Sequence, residues 1–305
     1  MSVITSHPFF KALKLTLDTL TTDDLAKKQV CIGSGKLVTI EKMKDGYADD
    51  VESAGTTLLL QKPQGAPLTP EKIIMGGTMR YWPKTMGKMV SITEETMDDV
   101  KYYDELINPS KRLMASAYKT QDIDVAQLIN LSTSATGGYD QSTLASTAHV
   151  LPGGGTEGNT LSTSAAYMTP SVPALSLIRA KLTLLKGPNG LPQGQEMETI
   201  VCPEIQYDLW RVLTGSEKSP GSNFNDLNIA KGYGLKILPI KWLDSVSTTQ
   251  WGVKTDADNG FRCLEKKKIT STTWTDNACL VLHHGVYYRM SIGWSNWRCW
   301  YQGNV

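Results

Sequence analysis

One stretch of the chain, residues 144–238, constrains the fold more than any other, because short apolar strands alternate in it with helices. In order, its elements are a Gly-rich turn from His149 to Asn159, a helix over 171–186, a strand over 199–201 that ends at Pro203, a helix over 203–214 and a strand over 235–238. Alternation of this kind predicts a lobe in which helices cover a small sheet.

The two helices of this lobe carry apolar residues at helical spacing. In the first, Ser171 can cap the N-terminus and Pro173 lies in the first turn. Its inward positions are Leu175, Ile178, Leu182 and Leu185. The second helix begins at Pro203 and ends at Gly215, and its predicted inward positions are Ile205, Leu209, Val212 and Leu213.

A long helical region precedes this lobe. From Thr93 onwards, acidic residues enrich the first turns of a helix, and Pro109 then predicts a stop or a kink, after which Asn108 caps a second segment. One apolar stripe continues through this second segment: Met114, Ala117, Tyr118, Val125, Leu128 and Ile129.

Nearer the N-terminus, the spacing of Phe9, Leu13, Leu17 and Leu20 predicts a helix from Pro8 to about Leu20. Two interpretations of that N-terminal helix are open. Either it belongs to an extended arm that becomes ordered only against neighbouring subunits, or it packs on its own domain.

Between these helices lies a stretch rich in Pro and Gly, residues 51–92. Apolar runs at 58–60 and 73–74 with a Pro/Gly-rich segment between them predict a long hairpin, for which residues 86–92 would supply the returning strand.

The C-terminal 241–305 region is predicted to be rich in strands. Val286, Tyr288, Met290 and Ile292 alternate with Tyr287 and Arg289, and residues 296–301 resemble a partner strand. The chain has 8 Trp and 4 Phe, and six of the Trp residues follow position 240. Such residues fill a core or line a contact surface. The spacing of Trp294, Trp297 and Trp300 predicts that at least one of them is exposed or lies in an interface.

Composition excludes several classes of protein. The formal charge is +1, so the chain lacks the strong positive charge of a dedicated nucleic-acid-binding protein. Five widely spaced cysteines, with no Cys-x-x-Cys pair, indicate reduced thiols rather than disulfides or a zinc site. The N-terminus lacks the pattern of a signal peptide and no apolar run approaches the ~18 residues of a membrane span, so we expect a soluble protein made in a cytoplasm.

Three motifs suggest chemistry that the rest of the sequence does not support. Residues 146–149 place a His as trypsin-like proteases do, but the nucleophile motif is missing, and His149 is predicted to anchor its loop by hydrogen bonds to backbone. Residues 153–158 match Gly-x-Gly-x-x-Gly without the helix and acid of a dinucleotide site. His283 and His284 are adjacent and would point to opposite faces of a strand. We therefore predict no enzyme activity, no cofactor and no metal site.

The ordered elements of 144–238 resemble the central part of tailed-bacteriophage major capsid proteins, which have the Hong Kong 97-like fold. The likeness covers about 51–305, with Tyr139-Asp140-Gln141 departing from the usual pattern before the His element. It implies an α+β fold with an N-terminal arm (1–50), an extended β-hairpin loop or E-loop (51–92), a peripheral domain with a long spine helix (93–135 and 251–305) and an axial domain (136–250).

The resemblance implies a shell protein that assembles with itself into hexamers and pentamers around double-stranded DNA, in a virion assembled in the cytoplasm of a bacterial host. The implied subunit contacts are Phe9, Phe10, Leu58, Leu60, Lys62, Met79, Arg80 and Trp82. Because the chain begins at its own Met1, a separate scaffolding protein is expected, along with a portal and a decoration protein, and DNA contacts would be non-specific.

Two other functions stay open at this stage. An encapsulin-like nanocompartment would share the fold and the self-assembly but enclose enzymes instead of DNA. A carbohydrate-binding β-protein would explain the Trp-rich C-terminal region, and it would remain monomeric or trimeric.

Overall fold

The computed structural model describes residues 28–303, except 56–57, 60, 66, 69, 71–74, 100–102, 162–168, 221–225, 245–246 and 277. The helices are α1 (Glu94–Asp99), α2 (Tyr103–Asn130), α3 (Val172–Leu184), α4 (Tyr207–Gly215) and α5 (Ile229–Gly232). The strands are β1 (Ile40–Lys42), β2 (Ala48–Ser53), β3 (Met75–Tyr81), β4 (Lys84–Thr93), β5 (Thr136–Gly137), β6 (Ser142–Thr143), β7 (His149–Val150), β8 (Thr156–Glu157), β9 (Met197–Pro203), β10 (Lys236–Ile240), β11 (Gly252–Thr255), β12 (Phe261–Asp276), β13 (Val281–Trp294) and β14 (Trp300–Gln302). The helix predicted at 8–20 lies outside the described residues.

Two four-stranded sheets organise these elements. The first has the order β1-β12-β13-β4, and α2 packs against it. The alternation predicted in β13 is confirmed, since Val286, Tyr288 and Met290 are buried while Arg289 is exposed. The second sheet has the order β10-β9-β11-β14, with β9 and β10 parallel, as expected for strands joined through a helix.

The second sheet draws strands from both sides of residue 250. β11 pairs with β9, and β14 pairs with β11 rather than with β13. Residues 296–301 are therefore not the partner strand of β13, whose neighbours are β12 and β4. The sheet of the predicted helical lobe is completed by the C-terminal strands β11 and β14. Strands β9 and β10 therefore share one sheet with strands that follow residue 250.

A hairpin is present in this region, but its first strand is β2 and not the predicted run at 58–60, since Leu58 and Leu59 lie outside any strand, and its returning strand also differs. β2 pairs antiparallel with β3, from Ala48 opposite Tyr81 to Ser53 opposite Met75. Residues 86–92, predicted to return the hairpin, belong to β4 and pair with β13 in the first sheet. Sequence spacing alone does not distinguish a strand that pairs in a hairpin from one that pairs with a distant strand.

The spine helix runs through Pro109 instead of stopping there. Pro109 lies inside α2, which begins at Tyr103, so Asn108 is not a cap. A proline in a helix costs about 3 kcal/mol. The stripe further along the helix buries Leu113, Met114, Val125, Ala126 and Ile129. Burial of each large apolar side chain contributes about 1.5–3 kcal/mol, which outweighs the proline.

The helix α3 agrees with its prediction. The Ser171 side chain accepts a hydrogen bond from the Ala174 backbone N–H, and Leu175, Ile178 and Leu182 are fully buried.

Helix α4 is rotated relative to its prediction. Trp210 and Leu213 point inward, whereas Ile205, Leu209 and Val212 are exposed. The buried Trp210 ring, which lies 4.8 Å from the Trp251 ring, sets this rotation.

The C-terminal tryptophans are core residues, contrary to the prediction that one of them is exposed. Trp294 and Trp300 lie in one buried cluster and Trp297 in another. Residues 297–299 form a short 3₁₀ helix, so the three rings need not share the faces of a single strand. Four of the six Trp residues after position 240 are buried, which accounts for most of the Trp-rich end without a ligand.

Candidate subunit interface

Two arginines from the end of the chain hold the base of the β2–β3 hairpin. Arg262 on β12 pairs with Asp50, and Arg298 donates from Nη1 to Glu52 Oε1 at 3.1 Å. Both carboxylates lie on β2, on either side of Val51. The hairpin is therefore attached to strands that are more than 200 residues away in sequence.

The Arg298–Glu52 pair is buried, and burial opposes both charges. Only 1% of the Arg298 side chain is exposed. Burial lowers the pKa of Arg298 and raises that of Glu52, and in each case the partner's charge opposes the shift. Arg298 gains further compensation because Nε donates to the Lys186 carbonyl at 3.0 Å and its guanidinium lies 4.5 Å from the centre of the Trp297 ring.

Close backbone approach fixes the other hairpin strand. A Cβ on Gly77 would lie 1.7 Å from the Tyr139 carbonyl oxygen, so only glycine fits there. At the end of β3, the buried Tyr81 ring packs with Met43 and Leu264. Its hydroxyl lies 2.6 Å from Ser295 Oγ, which in turn donates to Asp50 Oδ2 at 2.5 Å. The hairpin base is thus part of the first sheet's core.

The outer side of the hairpin base carries an exposed group of residues, Tyr47, Asp49, Arg80 and Trp82, which we call the hairpin cluster. Arg80 makes two hydrogen bonds of 2.6 Å to Asp49, and its guanidinium lies 4.3 Å from the centre of the Tyr47 ring. The Tyr47 and Trp82 rings are 5.4 Å apart, yet 45% and 59% of these residues are exposed. Tyr, Trp and Arg dominate the binding energy of protein interfaces.

The predicted contact residues fall into three groups. Leu58, Lys62, Arg80 and Trp82 are exposed. Met79 is half-buried against the Met43–Tyr81–Leu264 cluster, so its side chain also supports the hairpin from within. Phe9, Phe10 and Leu60 lie outside the described residues. The sequence did not indicate Tyr47, or the Arg298–Glu52 pair that holds the base, because these contacts join distant segments.

A second exposed apolar surface lies on α4. Leu209 and Val212 are three residues apart and share one side of α4, and Ile205 is exposed in the 3₁₀ helix Glu204–Gln206 that precedes α4. Helix α5 packs beside α4, and Ile229 and the preceding Leu227 are also exposed. We call these five residues the α4 surface. Ile205, Leu209 and Val212 were predicted to point inward, and together with Leu227 and Ile229 they instead form a second candidate contact.

His149 anchors its loop, although through side chains rather than through backbone as predicted. Its Nδ1 lies 2.7 Å from Asp140 Oδ2 and its Nε2 lies 3.2 Å from Asn159 Oδ1, while the ring stacks 4.0 Å from Trp297. The backbone contacts come from Asn159, whose amide donates to the carbonyls of Leu144 and Trp300 at 2.6 and 2.9 Å. His149 and Asn159 are fully buried, as expected for residues that hold a loop in place.

Asp140 makes this anchor sensitive to acid. Burial, the largest single influence, raises the pKa of its carboxyl, but the hydrogen bond and charge of His149 and the hydrogen bonds from Ser142 together outweigh burial and hold that pKa below its ordinary value of 3.8. A carboxyl of this kind stabilises the fold above its unfolded pKa and loses that contribution as the pH falls through its folded pKa. We predict that Asp140→Asn reduces the decline in unfolding free energy below about pH 4, measured by urea unfolding across the acid range. Exposed Asp45→Asn is the control, and equal declines in both variants would contradict the prediction.

The His, Cys, Asp and Glu residues of the described part of the chain form no metal-binding group, and four of the five cysteines are buried. No group of three or more His, Cys, Asp or Glu residues there could hold a metal ion. All five cysteines are free, and burial raises the pKa of Cys202, Cys263 and Cys299 to about 12. Among the described helices, none has both the length and the apolar character that a membrane crossing requires.

Comparisons with known proteins agree on one family. The profile of the family described as phage capsid protein matches residues 79–301. No curated protein sequence matches the chain.

Solved capsid structures share the fold at low sequence identity. The capsid of the native GTA particle matches with a TM-score of 0.58 at 10% identity, covering 93% of this chain and 90% of that one. The capsid of cyanophage P-SCSP1u gives 0.55 at 13% identity, with 87% and 85% covered. The capsid of Myoviridae phage XM1 gives 0.51 at 11% identity, with 85% of each chain covered. The predicted Hong Kong 97-like α+β fold is confirmed.

Proposed function

The chain belongs to the phage capsid protein family and is a structural protein of the virion shell, and we propose that it is the major head protein of a tailed phage. Its copies assemble into hexamers and pentamers, which close into an icosahedral shell around double-stranded DNA. The protein acts mechanically and is not an enzyme.

The observation that supports this most strongly is an exposed hairpin with a rigid base. The buried Arg298–Glu52 ion pair and the Gly77 contact fix the position of the hairpin base. Beyond the base, Leu58, Leu59 and Leu68 are 73%, 99% and 79% exposed. Exposed leucines of this kind on a firmly held extension suit a surface that a neighbouring copy covers.

The composition of the exposed surfaces agrees with subunit contacts. The hairpin cluster supplies Tyr, Trp and Arg, and the α4 surface supplies aliphatic side chains. These surfaces lie on different parts of one subunit, so each copy can contact several others. Multiple contacts of modest strength make a closed assembly far more stable than any single pair.

Other partners complete the proposal. A separate scaffolding protein guides assembly, a portal occupies one vertex, and a decoration protein binds the finished shell. Assembly takes place in the cytoplasm of the bacterial host. The packaged DNA is contacted without sequence preference, in keeping with a formal charge of only +1.

Electron microscopy of the purified protein at high concentration tests this function. The proposal predicts closed shells or ordered arrays of capsomers, whereas a protein that remains a monomer at all concentrations would contradict it. Particles made in phage-infected cells should contain nuclease-protected DNA. Particles filled with protein cargo instead would indicate a nanocompartment.

A further inference from the structure

Positive charge is concentrated on one part of the first sheet. Three consecutive lysines on β12 and an arginine on the neighbouring strand β13 lie close together, in a chain whose formal charge is only +1. These residues are Lys266, Lys267, Lys268 and Arg289, and we call them the basic strip. Strands β12 and β13 are adjacent in the first sheet.

The centre of the basic strip is a pair of like charges. Lys267 on β12 lies directly opposite Arg289 on β13, which is a destabilising arrangement on a sheet. Lysines on an edge strand protect it from unwanted pairing, but β12 and β13 are inner strands and need no such protection. The Lys267 ammonium donates to the Tyr287 hydroxyl and lies 4.3 Å from the centre of that ring. Within the described residues, neither Lys267 nor Arg289 pairs with a carboxylate.

Negative charge is concentrated at the far end of the same sheet. Helix α1 carries Glu94, Glu95 and Asp99, and we call these three acids the acidic tip. The Glu94 backbone N–H donates to the Leu280 carbonyl at 3.0 Å, which places α1 beside the β12–β13 turn. The helix dipole favours Glu94 and Glu95 in the first turn, but it does not favour Asp99 in the last turn.

The two charged surfaces are too far apart to neutralise each other within one subunit. Thr93 lies opposite Val281 and Thr85 lies opposite Arg289, so eight residues of β13 separate the tip from the centre of the strip. At about 3.4 Å per residue the separation is roughly 27 Å. Screening at physiological salt acts over about 8 Å, so attraction between them is negligible in the free subunit.

We propose that the acidic tip of one copy docks on the basic strip of a second copy. The inference rests on the proposed shell function and names one of its contacts. The occupant is a second copy because the chain itself carries the complementary charge, which would relieve the repulsion on both surfaces. Contacts between two different surfaces of identical subunits generate closed rings when the rotation between copies closes, which is the arrangement that capsomers require.

A charge swap in the full-length protein tests the contact. Reversal of the strip (Lys267→Glu with Arg289→Glu) and reversal of the tip (Glu95→Lys with Asp99→Lys) should each lower particle yield about tenfold or more, since like charges then face each other. The combined four-residue variant should recover particles, because the attraction is restored with its sign exchanged. Lys181→Glu with Lys241→Glu makes the same charge change elsewhere and should assemble normally.

A native thiol gives a second measurement that does not depend on any variant. Cys279 is exposed in the turn beside the tip. A maleimide should label it in free subunits and react at least about tenfold more slowly in particles, because the docked copy covers the turn. Thiol labelling of the unmutated protein therefore reports on the contact even if a charge variant folds poorly.

Each remaining outcome has a definite meaning. A combined variant as defective as the single reversals, or Cys279 equally reactive in particles, overturns the docking. Strip reversal that leaves assembly intact but lowers nuclease-protected DNA assigns the strip to nucleic acid and also overturns it. Loss of particles in the Lys181/Lys241 control attributes the effect to net charge. If the unmutated protein forms no particles at all, the shell function itself fails.

Discussion

Replacing residues 58–70 with a short Gly-Ser linker should abolish closed particles and leave a folded subunit. The replaced segment lies beyond the paired part of β2 and β3, so the Asp50 and Glu52 ion pairs and the Gly77 contact remain. It removes Leu58, Leu59 and Leu68, which are exposed in the single subunit. Sedimentation would measure assembly, and urea unfolding would measure the stability of the subunit.

A length-preserving variant separates the role of the leucines from that of the loop. Leu58→Ser, Leu59→Ser and Leu68→Ser together should weaken assembly in the same direction without changing the unfolding midpoint, because exposed side chains contribute little to stability. Particles of normal size and yield from the linker variant would show that the hairpin does not hold neighbouring subunits together.

Arg298→Ala should lower the free energy of unfolding by about 3–5 kcal/mol, because it leaves Glu52 buried without its partner. Burial already raises the pKa of Glu52 against the opposing charge of Arg298, and loss of that charge removes the compensation. Urea unfolding of the soluble subunit at neutral pH would measure the change. The hairpin should also become more susceptible to proteolysis, since its base is released.

Two matched variants test whether the loss comes from the unpaired charge. Replacing both partners by methionine (Glu52→Met with Arg298→Met) should recover most of the stability, since apolar pairs of similar volume often replace buried ion pairs without loss. Arg80→Ala breaks the exposed Arg80–Asp49 pair and should leave stability unchanged within error. An Arg298→Ala variant as stable as Arg80→Ala would contradict the role assigned to the buried pair.

Local patterns in the sequence predicted several of the elements correctly. Helix α3, strands β9 and β10 and the alternation of β13 depend on spacing within one segment, and all four are confirmed. The failures arise where distant segments decide the outcome. The stripe of α2 overrides Pro109, and the Trp251 ring fixes the rotation of α4. Strand partners depend on which segments meet, so β3 rather than β4 completes the hairpin.

The candidate interface was only partly predictable for the same reason. Arg80 and Trp82 followed from a family resemblance, whereas their neighbour Tyr47 is brought to them by the pairing of β2 with β3. The Lys267–Arg289 pair is not apparent in the sequence, because these two residues become neighbours only through the β12–β13 register. The net charge of +1 does not show that basic and acidic residues lie on separate surfaces of the subunit.

A cryo-electron microscopy reconstruction of assembled particles tests most directly whether this subunit completes its contacts with copies of itself. It should show the β2–β3 hairpin extending across a neighbouring subunit, with Tyr47, Arg80 and Trp82 buried at the contact. Particles in which the hairpin cluster faces solvent, with each hairpin folded back on its own subunit, would contradict the account.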